Sequence, residues 1–385
     1  MTKRQLNYFK TSSILGLSIF FISCATKSIP ITYDGHIYVK TTINDSITGN
    51  FIYDTGALDF YLDTTFVRKN KFQFDKKQIF ELGGVGSGTK TTQLVNDKIY
   101  YKVDKKYIHS RTTYLVGLKD FMGENIDGIL GVKTFQNRPH KIDFINKKLT
   151  FTDKHENYDS IKFIYEGDKI YVPLHYTIGS QQYSGKFILD LGSSITVLNS
   201  TSGINTADGV SSLGAGGIGG ETKGKTLIFD AIQLGNQVIT DYVLDISEDK
   251  AGALADANYD GILGNDILDN FDIILDLEQK VLYVKPNKKF NRHKKMLYKS
   301  FFYIDNTNTT GSWTVSYIYL NTDAYKKGLR LHDEILEIDG VKVSKLKRVP
   351  FYKALKLNQE LKLTLRRNGD TIKINVILDK FLGKN

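Results

Sequence analysis

Apolar residues along the chain come in short runs that alternate with polar positions and end at turn-forming residues, the pattern of β-strands. Near the carboxy end the pattern predicts strands at 313–320, 334–338, 361–366 and 371–378, with a short helix at 323–329 that ends near Gly328. Tight turns are expected at Asp339-Gly340 and Asn368-Gly369. Residues 301–382 therefore form a predicted small α+β unit, here called the third unit.

The preceding part of the chain contains an internal repeat. Three pairs of segments match in the same order, at offsets of 136, 133 and 133 residues: Phe51–Gly56 with Phe187–Gly192, Ile37–Val39 with Ile170–Val172, and Asp127–Gly131 with Asp260–Gly264. Each copy closes on a hairpin-like pair of apolar runs, at 141–151 and 273–284. We therefore predict two homologous β-rich lobes, the first lobe at 29–156 and the second lobe at 160–286, with a cleft on their pseudo-twofold axis.

Composition agrees with a β-rich, folded protein. The 385 residues include 22 Phe and 23 Tyr, with 41% hydrophobic and 24% charged residues, which predicts two or three domains rather than a disordered chain. The net charge of +10 is a modest excess, and no nucleic-acid partner is expected. A basic stretch at 287–300 is interpreted as a linker before the third unit.

The amino terminus has the layout of a secretory signal. Basic residues precede an apolar run, Ile14–Ile22, which is too short to span a bilayer. Cys24 follows this run and is the only cysteine, so it cannot form an internal disulfide. The segment Phe21-Ile22-Ser23-Cys24 resembles a bacterial lipoprotein box, although Phe21 stands where leucine is usual. The resemblance implies a signal peptide at 1–23 and lipidation of Cys24.

The repeated aspartates are the strongest candidates for chemistry. Asp54 and Asp190 each follow three apolar residues and precede a residue-glycine pair, so each lies where a buried strand enters a tight turn. If a twofold relates the lobes, the two carboxyls face each other and share a proton. Such a dyad can activate a water and donate a hydrogen bond to a carbonyl, as peptide hydrolysis requires. An isolated Asp-X-Gly is usually only a turn, but duplication argues against that reading.

A glycine-rich stretch follows each aspartate and is predicted to be a flap, a hairpin that closes on a bound peptide. A mobile surface hairpin is the alternative. The flap glycines are Gly83, Gly84, Gly86 and Gly88 in the first lobe, and Gly214, Gly216, Gly217 and Gly219 in the second lobe.

These motifs resemble the aspartic proteases, both retropepsin-like and two-lobed pepsin-like, over residues 29–286. The resemblance implies that Asp54 and Asp190 are the catalytic pair. It also implies that Gly56 and Gly192 shape their loops, that Leu130-Gly131 and Leu263-Gly264 buttress them, and that Asp127 and Asp260 are structural. Thr55 and Ser193 are expected to support the loops. Leu191 departs from the family, which has a hydroxyl residue there that helps lock the loops together.

The third unit resembles a PDZ domain in three segments, 313–318, 324–330 and 333–340. The resemblance implies capture of a peptide carboxy terminus as an added strand. The glycine-rich carboxylate-binding loop is poorly matched, with only Gly311 near the expected place. A unit that only packs against the lobes remains an alternative.

No cofactor or metal site is expected, because the glycine run at 214–219 is not followed by a helix signal and the seven histidines lack paired spacing. The sequence thus predicts a mostly β, exported bacterial lipoprotein, facing the periplasm or the cell surface. We expect a monomeric aspartic endopeptidase acting on polypeptides and anchored to the membrane at Cys24. The alternative is an inactive peptide-binding or scaffolding lipoprotein that uses the same cleft and PDZ-like unit.

Overall fold

The computed structural model describes residues 28–75, 77–103, 106–110, 112–291, 299–307, 309–380 and 382. The predicted signal peptide at 1–23 and Cys24 lie outside these residues, as does part of the predicted linker at 287–300. Within the described ranges, no helix has the length and apolar character needed to cross a bilayer.

The first lobe consists mainly of short strands. Its elements are β1 (Ser28–Tyr33), β2 (Ile37–Ile43), β3 (Ile47–Tyr53), β4 (Phe60–Asp63), α1 (Thr64–Lys69), β5 (Lys77–Gly83), β6 (Thr89–Val95), β7 (Ile99–Val103), β8 (Lys106–Ser110), β9 (Thr113–Val116), α2 (Lys119–Met122), β10 (Gly128–Leu130), a 3₁₀ turn (Val132–Phe135), β11 (His140–Asp143) and β12 (Lys148–Phe151).

The second lobe also consists mainly of strands, several of them longer than those of the first lobe. Its elements are β13 (Asp159–Lys162), β14 (Ile164–Glu166), β15 (Lys169–Ile178), β16 (Gln181–Leu189), β17 (Val197–Leu198), β18 (Val210–Gly217), β19 (Gly220–Leu234), β20 (Gln237–Ser247), a 3₁₀ turn (Ala253–Ala255), β21 (Gly261–Leu263), α3 (Asn265–Leu268), β22 (Phe271–Asp276) and β23 (Val281–Pro286).

The third unit is a smaller mixed structure. Its elements are β24 (Phe301–Asn306), β25 (Ser312–Tyr319), α4 (Asp323–Lys326), β26 (Glu334–Ile338), β27 (Val341–Lys342), a 3₁₀ turn (Val343–Lys345), α5 (Arg348–Ala354), β28 (Glu360–Arg367) and β29 (Asp370–Ile377). Positive φ at both residues of Asp339-Gly340 and of Asn368-Gly369 confirms the two predicted tight turns. The fold is mostly β, as the alternation of apolar and polar residues predicted.

The repeated segments form the same motif in both lobes. In the first lobe, β10 lies parallel to β3 and antiparallel to β4. In the second lobe, β21 lies parallel to β16 and antiparallel to β17. The Asp-Gly-Ile-Leu-Gly strand is therefore inserted between the two strands that flank each aspartate loop. This insertion fixes where each loop leaves its sheet.

A shared sheet joins the lobes. The closing hairpins, β11–β12 and β22–β23, pair with each other through β11 and β22, with Ile142 opposite Ile273. The strand order across this join is β13-β23-β22-β11-β12-β1. Apolar residues of both lobes belong to one buried cluster, while a separate cluster around Trp313 fills the third unit. The relative position of the two lobes is therefore set by strand pairing and by a common core.

Four short helices, α1, α2, α3 and α5, were not predicted from the pattern. In α1, the Asp63 carboxylate caps the amino end by accepting from the N–H groups of Thr65 and Phe66. In α5, Pro350 lies in the first turn, where its missing N–H costs no helical hydrogen bond. Helix α1 has six residues and α5 has seven. Such short helices contain too few apolar residues for a helical period to be recognised in the sequence.

Candidate active site

The two aspartates occupy equivalent places at the ends of β3 and β16. The Asp54 N–H donates to the Leu130 carbonyl at 3.0 Å, and the Asp190 N–H donates to the Leu263 carbonyl at 3.0 Å. The central strand of each motif therefore anchors the first residue of its loop. The structure brings these two predicted residues together across the lobe interface, and a hydrogen bond links their carboxyl groups.

Backbone N–H groups of each loop also hold its own carboxyl. Asp54 Oδ1 accepts from the Ala57 N–H at 2.9 Å. Asp190 Oδ1 accepts from the N–H groups of Gly192 at 2.8 Å and Ser193 at 3.1 Å. One oxygen of each carboxyl is thus fixed by its loop, as the tight turn after each aspartate predicted. The arrangement orients the two side chains before any ligand binds.

Glycine is required after each aspartate by close approach. A Cβ on Gly56 would lie 2.7 Å from the Asp190 Cγ, and a Cβ on Gly192 would collide with the Asp54 carboxyl. Each glycine therefore faces the carboxyl of the opposite lobe. Any larger residue at either position would push the carboxyls apart.

The environment of the pair favours a neutral Asp54. Burial raises the pKa of the Asp54 carboxyl well above its usual value, and the charge and hydrogen bond of Asp190 raise it further. The Lys169 ammonium and the Ala57 N–H oppose this rise in pKa. A proton held between two adjacent carboxyls supplies an acid and a base in one site.

Thr55 bridges the two loops. Its buried hydroxyl donates to the Leu189 carbonyl at 2.7 Å and accepts from the Leu191 N–H at 3.0 Å. The Leu191 side chain has no hydroxyl that could make the equivalent hydrogen bonds to the first loop, and it packs in the shared core instead. Of these two equivalent residues, only Thr55 therefore bridges the loops by its side chain, so the lock between the loops is one-sided.

The other predicted loop residues have structural contacts. The Ser193 hydroxyl donates to the Ile195 carbonyl at 2.7 Å, within its own turn. Asp127 accepts from the Asn50 N–H at 2.9 Å, and Asp260 accepts from the Lys186 N–H at 2.7 Å. These two carboxylates tie the central strands to the neighbouring hairpins, in agreement with a structural role.

The predicted flaps are hairpins whose tips meet. In the first lobe the hairpin is β5–β6, and in the second lobe it is β18–β19. The Val85 carbonyl accepts from the Gly219 N–H at 2.8 Å, and the Gly219 carbonyl accepts from the Gly88 N–H at 2.8 Å. Gly86 contacts the same segment, and a Cβ there would collide with Gly219. The tip glycines thus permit backbone-to-backbone contact between the lobes.

The remaining flap glycines differ in their surroundings. The Gly84 carbonyl accepts from the Ala253 N–H at 3.0 Å, while a Cβ on Gly83 would meet no atom within 4 Å. Gly214 lies against Tyr317 of the third unit. Gly216 and Gly217 belong to the tip, and the Gly217 N–H donates to the Val85 carbonyl at 3.2 Å.

The second flap is also paired with the third unit. Strand β18 pairs antiparallel with β25, with Leu213 opposite Ile318. The Leu320 N–H donates to the Ser211 carbonyl at 2.9 Å, and His332 lies 3.0 Å from the Glu221 carboxylate. The third unit thus continues the sheet of the second lobe through its flap.

Apolar clusters adjoin the pair on both sides. In the first lobe the cluster includes Tyr38, Ala57 and Tyr61, and the Asp54 charge raises the pKa of Tyr61, after burial as the main cause. In the second lobe, Tyr259 belongs to the matching cluster, and Val85 of the first flap packs against it. The walls next to the carboxyls are therefore largely apolar and aromatic.

Two basic residues at the site were missed by sequence reasoning. His36 Nδ1 lies 2.9 Å from the Gly192 carbonyl, and Lys169 Nζ donates to the Gly56 carbonyl. Each residue directly precedes a copy of the repeated Ile-Tyr-Val run. Because both residues occupy the same position in the repeat, the repeat could have indicated them as site residues, although one is histidine and the other lysine.

In the third unit, β24 pairs with β25, and residues of β24 contact residues of α5. The Arg348 guanidinium donates to the Tyr303 carbonyl at 3.4 Å and pairs with Asp34 of the first lobe at 3.2 Å. Aromatic rings of Phe302 and Tyr352 lie 5.5 Å apart between the strand and the helix. Gly311 lies in the turn between β24 and β25 with φ of 72°.

A comparison with protein families matches residues 302–378 to the PDZ domain. The matched residues coincide with the cluster around Trp313, which is buried separately from the core of the lobes. A search of the curated proteins finds none that matches this chain. The third unit is a PDZ domain, a module that commonly binds the carboxy-terminal ends of peptides, and it points to a peptide or protein partner for this chain.

Proposed function

We propose that this chain is an aspartic endopeptidase, in which a water held between Asp54 and Asp190 attacks a peptide carbonyl. The observation that carries the proposal is the hydrogen-bonded carboxyl pair, with the pKa of Asp54 raised by burial and by its neighbour. The retropepsin-like and pepsin-like motifs around both residues support the same activity. No metal or cofactor takes part in the proposed reaction.

The mechanism follows from the shared proton. One carboxylate removes a proton from the water while the other carboxyl donates a hydrogen bond to the carbonyl oxygen, which gains negative charge as the carbon becomes tetrahedral. The proton taken from water is then delivered to the leaving nitrogen. Because backbone N–H groups fix one oxygen of each carboxyl, little reorganisation is needed during these transfers.

The proposed substrate is an extended polypeptide. Apolar clusters around Tyr61 and Tyr259 would receive apolar side chains on either side of the cut bond. The contacts between Val85 and Gly219 close the flap tips, so the flaps must separate to admit a peptide. We propose that the PDZ domain captures the substrate or a partner protein, and that Cys24 carries a lipid that anchors the exported chain to a membrane.

Peptide cleavage by the purified full-length chain tests this proposal. We expect the wild type to cut an unfolded, internally quenched peptide, with Asp54→Asn and Asp190→Asn each lowering the rate at least about 100-fold. The matched control is Asp208→Asn, because Asp208 is exposed on a loop of the second lobe. Cleavage that is unchanged in either dyad variant would end the catalytic assignment.

A non-catalytic peptide-binding protein is the second candidate. It is favoured by Leu191, which leaves the loop lock one-sided, and by the PDZ domain. This candidate predicts that the wild type retains extended peptides without cutting them at any pH. Sustained turnover by the wild type, lost in Asp54→Asn, would exclude it.

A further inference from the structure

The repeat places one basic side chain at the same position in each lobe. His36 directly precedes β2, and Lys169 begins β15, each next to a copy of the Ile-Tyr-Val run. The offset of 133 residues between His36 and Lys169 is that of the run itself. The two side chains are therefore related by the same pseudo-twofold that relates Asp54 to Asp190.

Both side chains cross to the opposite lobe and end on equivalent acceptors, the carbonyls of the glycines that follow the aspartates. The His36 ring nitrogen Nδ1 lies 2.9 Å from the Gly192 carbonyl oxygen, and Lys169 Nζ donates to the Gly56 carbonyl oxygen. A carbonyl oxygen only accepts hydrogen bonds, so Nδ1 of His36 carries the proton in this contact. Each loop thus has its glycine carbonyl fixed by a donor from the other lobe.

The two donors differ in charge. Burial lowers the pKa of the His36 imidazole and Arg348 lowers it further, while Asp34, the Gly192 carbonyl and Asp190 oppose this change. The Lys169 ammonium lowers the pKa of the Asp54 carboxyl, against the rise caused by burial and by Asp190. The site therefore has a cation beside Asp54 and a largely neutral ring on the side of Asp190.

Other titratable groups also surround the carboxyl pair. The Asp54 charge acts on Tyr53 and Tyr61, and the Asp190 charge acts on His36 and Tyr259. Asp34 and Arg348 in turn act on His36. Burial raises the pKa of all three phenols, so they stay neutral in the working pH range of an acidic pair. Lys169 is the cation that acts on Asp54.

We propose that His36 and Lys169 are a matched pair of positioning residues, which hold the two aspartate loops in register across the lobe interface, and that the Lys169 charge favours the ionised form of the Asp54 carboxyl against burial and the neighbouring Asp190. The inference rests on the proposed function, because it assigns roles to residues of the same site. His36 and Lys169 act through the loops and through charge, and neither donates to the reacting water.

The experiment replaces Lys169 in the full-length chain. In Lys169→Met the hydrogen bond and the charge are lost, whereas Lys169→Arg keeps a cation and a donor. We expect the pH profile of peptide cleavage to move upward by at least about half a pH unit in Lys169→Met, because removal of a nearby cation disfavours the ionised carboxyl. Lys169→Arg should restore the wild-type profile. Lys162→Met, at an exposed position of β13, is the control.

A second measurement works without catalysis. The carboxyl carbons of ¹³C-labelled aspartate are titrated by NMR, and the signals of the pair are assigned with Asp54→Asn and Asp190→Asn. The titration should move upward in Lys169→Met and stay in place in Lys169→Arg and Lys162→Met. An unchanged titration in folded Lys169→Met overturns the inference, whether or not the protein cuts peptides. Absence of cleavage with a shifted titration overturns only the proposed function.

His36 is tested by its hydrogen bond. His36→Asn keeps a side-chain N–H that can reach the Gly192 carbonyl, whereas His36→Leu removes the donor. We expect His36→Leu to lower kcat about tenfold with little change in KM, and His36→Asn to recover most of the loss. Equal kcat in wild type and His36→Leu would overturn the role of His36.

Discussion

The Thr55 hydroxyl accepts a hydrogen bond from the Leu191 N–H at 3.0 Å, and the two residues occupy equivalent places after the paired aspartates. Thr55 also donates to the Leu189 carbonyl, whereas the Leu191 side chain packs into the shared core. The pseudo-symmetry of the loops is therefore broken at this position, where only Thr55 has a hydroxyl that bridges the two loops.

Removal of the Thr55 hydroxyl should destabilise the folded protein. Thr55→Val keeps the shape of the side chain but leaves the buried Leu191 N–H without its acceptor, so we expect a loss of about 1–3 kcal/mol in the free energy of unfolding. Urea denaturation followed by circular dichroism measures this loss. Thr42→Val is the control, because its hydroxyl pairs with Thr48 on the exposed surface. Equal losses in the two variants would contradict a special role for Thr55.

The raised pKa of Asp54 predicts a pH-dependent stability. In the unfolded chain Asp54 ionises near pH 4, but in the folded protein it holds its proton to higher pH. The contribution of this group is therefore fully present below pH 4 and is lost as the pH rises through the folded-state pKa. Asp54→Asn cannot ionise, so its stability relative to the wild type should increase with pH.

Urea unfolding at a series of pH values measures that difference. We expect a gain of about 1.4 kcal/mol for each pH unit between the unfolded-state and folded-state pKa values. Asp208→Asn, at an exposed position, serves as the reference for the loss of one carboxyl. A stability difference between Asp54→Asn and wild type that does not vary with pH would refute the raised pKa.

The flap tips should separate when Gly219 gains a side chain. A Cβ on Gly219 would lie 2.6 Å from the Gly86 carbonyl carbon, so Gly219→Ala must displace the contact between the tips. We expect roughly tenfold faster amide hydrogen exchange at residues 85–88, measured by mass spectrometry. Gly83→Ala, in the first flap close to residues 85–88, should leave exchange unchanged because a Cβ there meets no atom within 4 Å. Faster exchange in both variants would point to a general loosening of the hairpin.

In the PDZ domain, an arginine pairs with a buried carboxylate. Arg367 contacts both carboxylate oxygens of Asp333, at 2.6 Å and 2.7 Å, and the Asp333 side chain is 1% exposed. Arg367→Met should cost about 3 kcal/mol, because it leaves a buried carboxylate without its cation. The fluorescence of Trp313, the single tryptophan and a fully buried residue of this domain, reports the transition.

The neighbouring residue supplies the control for this change. Arg366 pairs with Glu334, but their side chains are 39% and 30% exposed, so Arg366→Met should cost less than about 1 kcal/mol. A similar midpoint of the Trp313 transition in both variants would contradict the importance of the buried pair.

The sequence alone determined the mostly β fold, because strands follow from the local alternation of apolar and polar residues. It also determined the duplication, because matching segments recur at a nearly constant offset. It also indicated which aspartates are equivalent, and it predicted the tight turns at Asp339-Gly340 and Asn368-Gly369, which need only local chain geometry. The PDZ domain was indicated by the resemblance of three segments to that family, and the family match confirms it.

Only the tertiary structure decided what contacts the carboxyl pair. The bonds from His36 to Gly192 and from Lys169 to Gly56 join residues 156 and 113 positions apart, and nothing in local periodicity specifies such contacts. The pairing of the second flap with β25 likewise depends on how separate sheets pack. Local sequence sets which strands form, whereas charge, burial and close approach at the lobe interface arise only when distant segments meet.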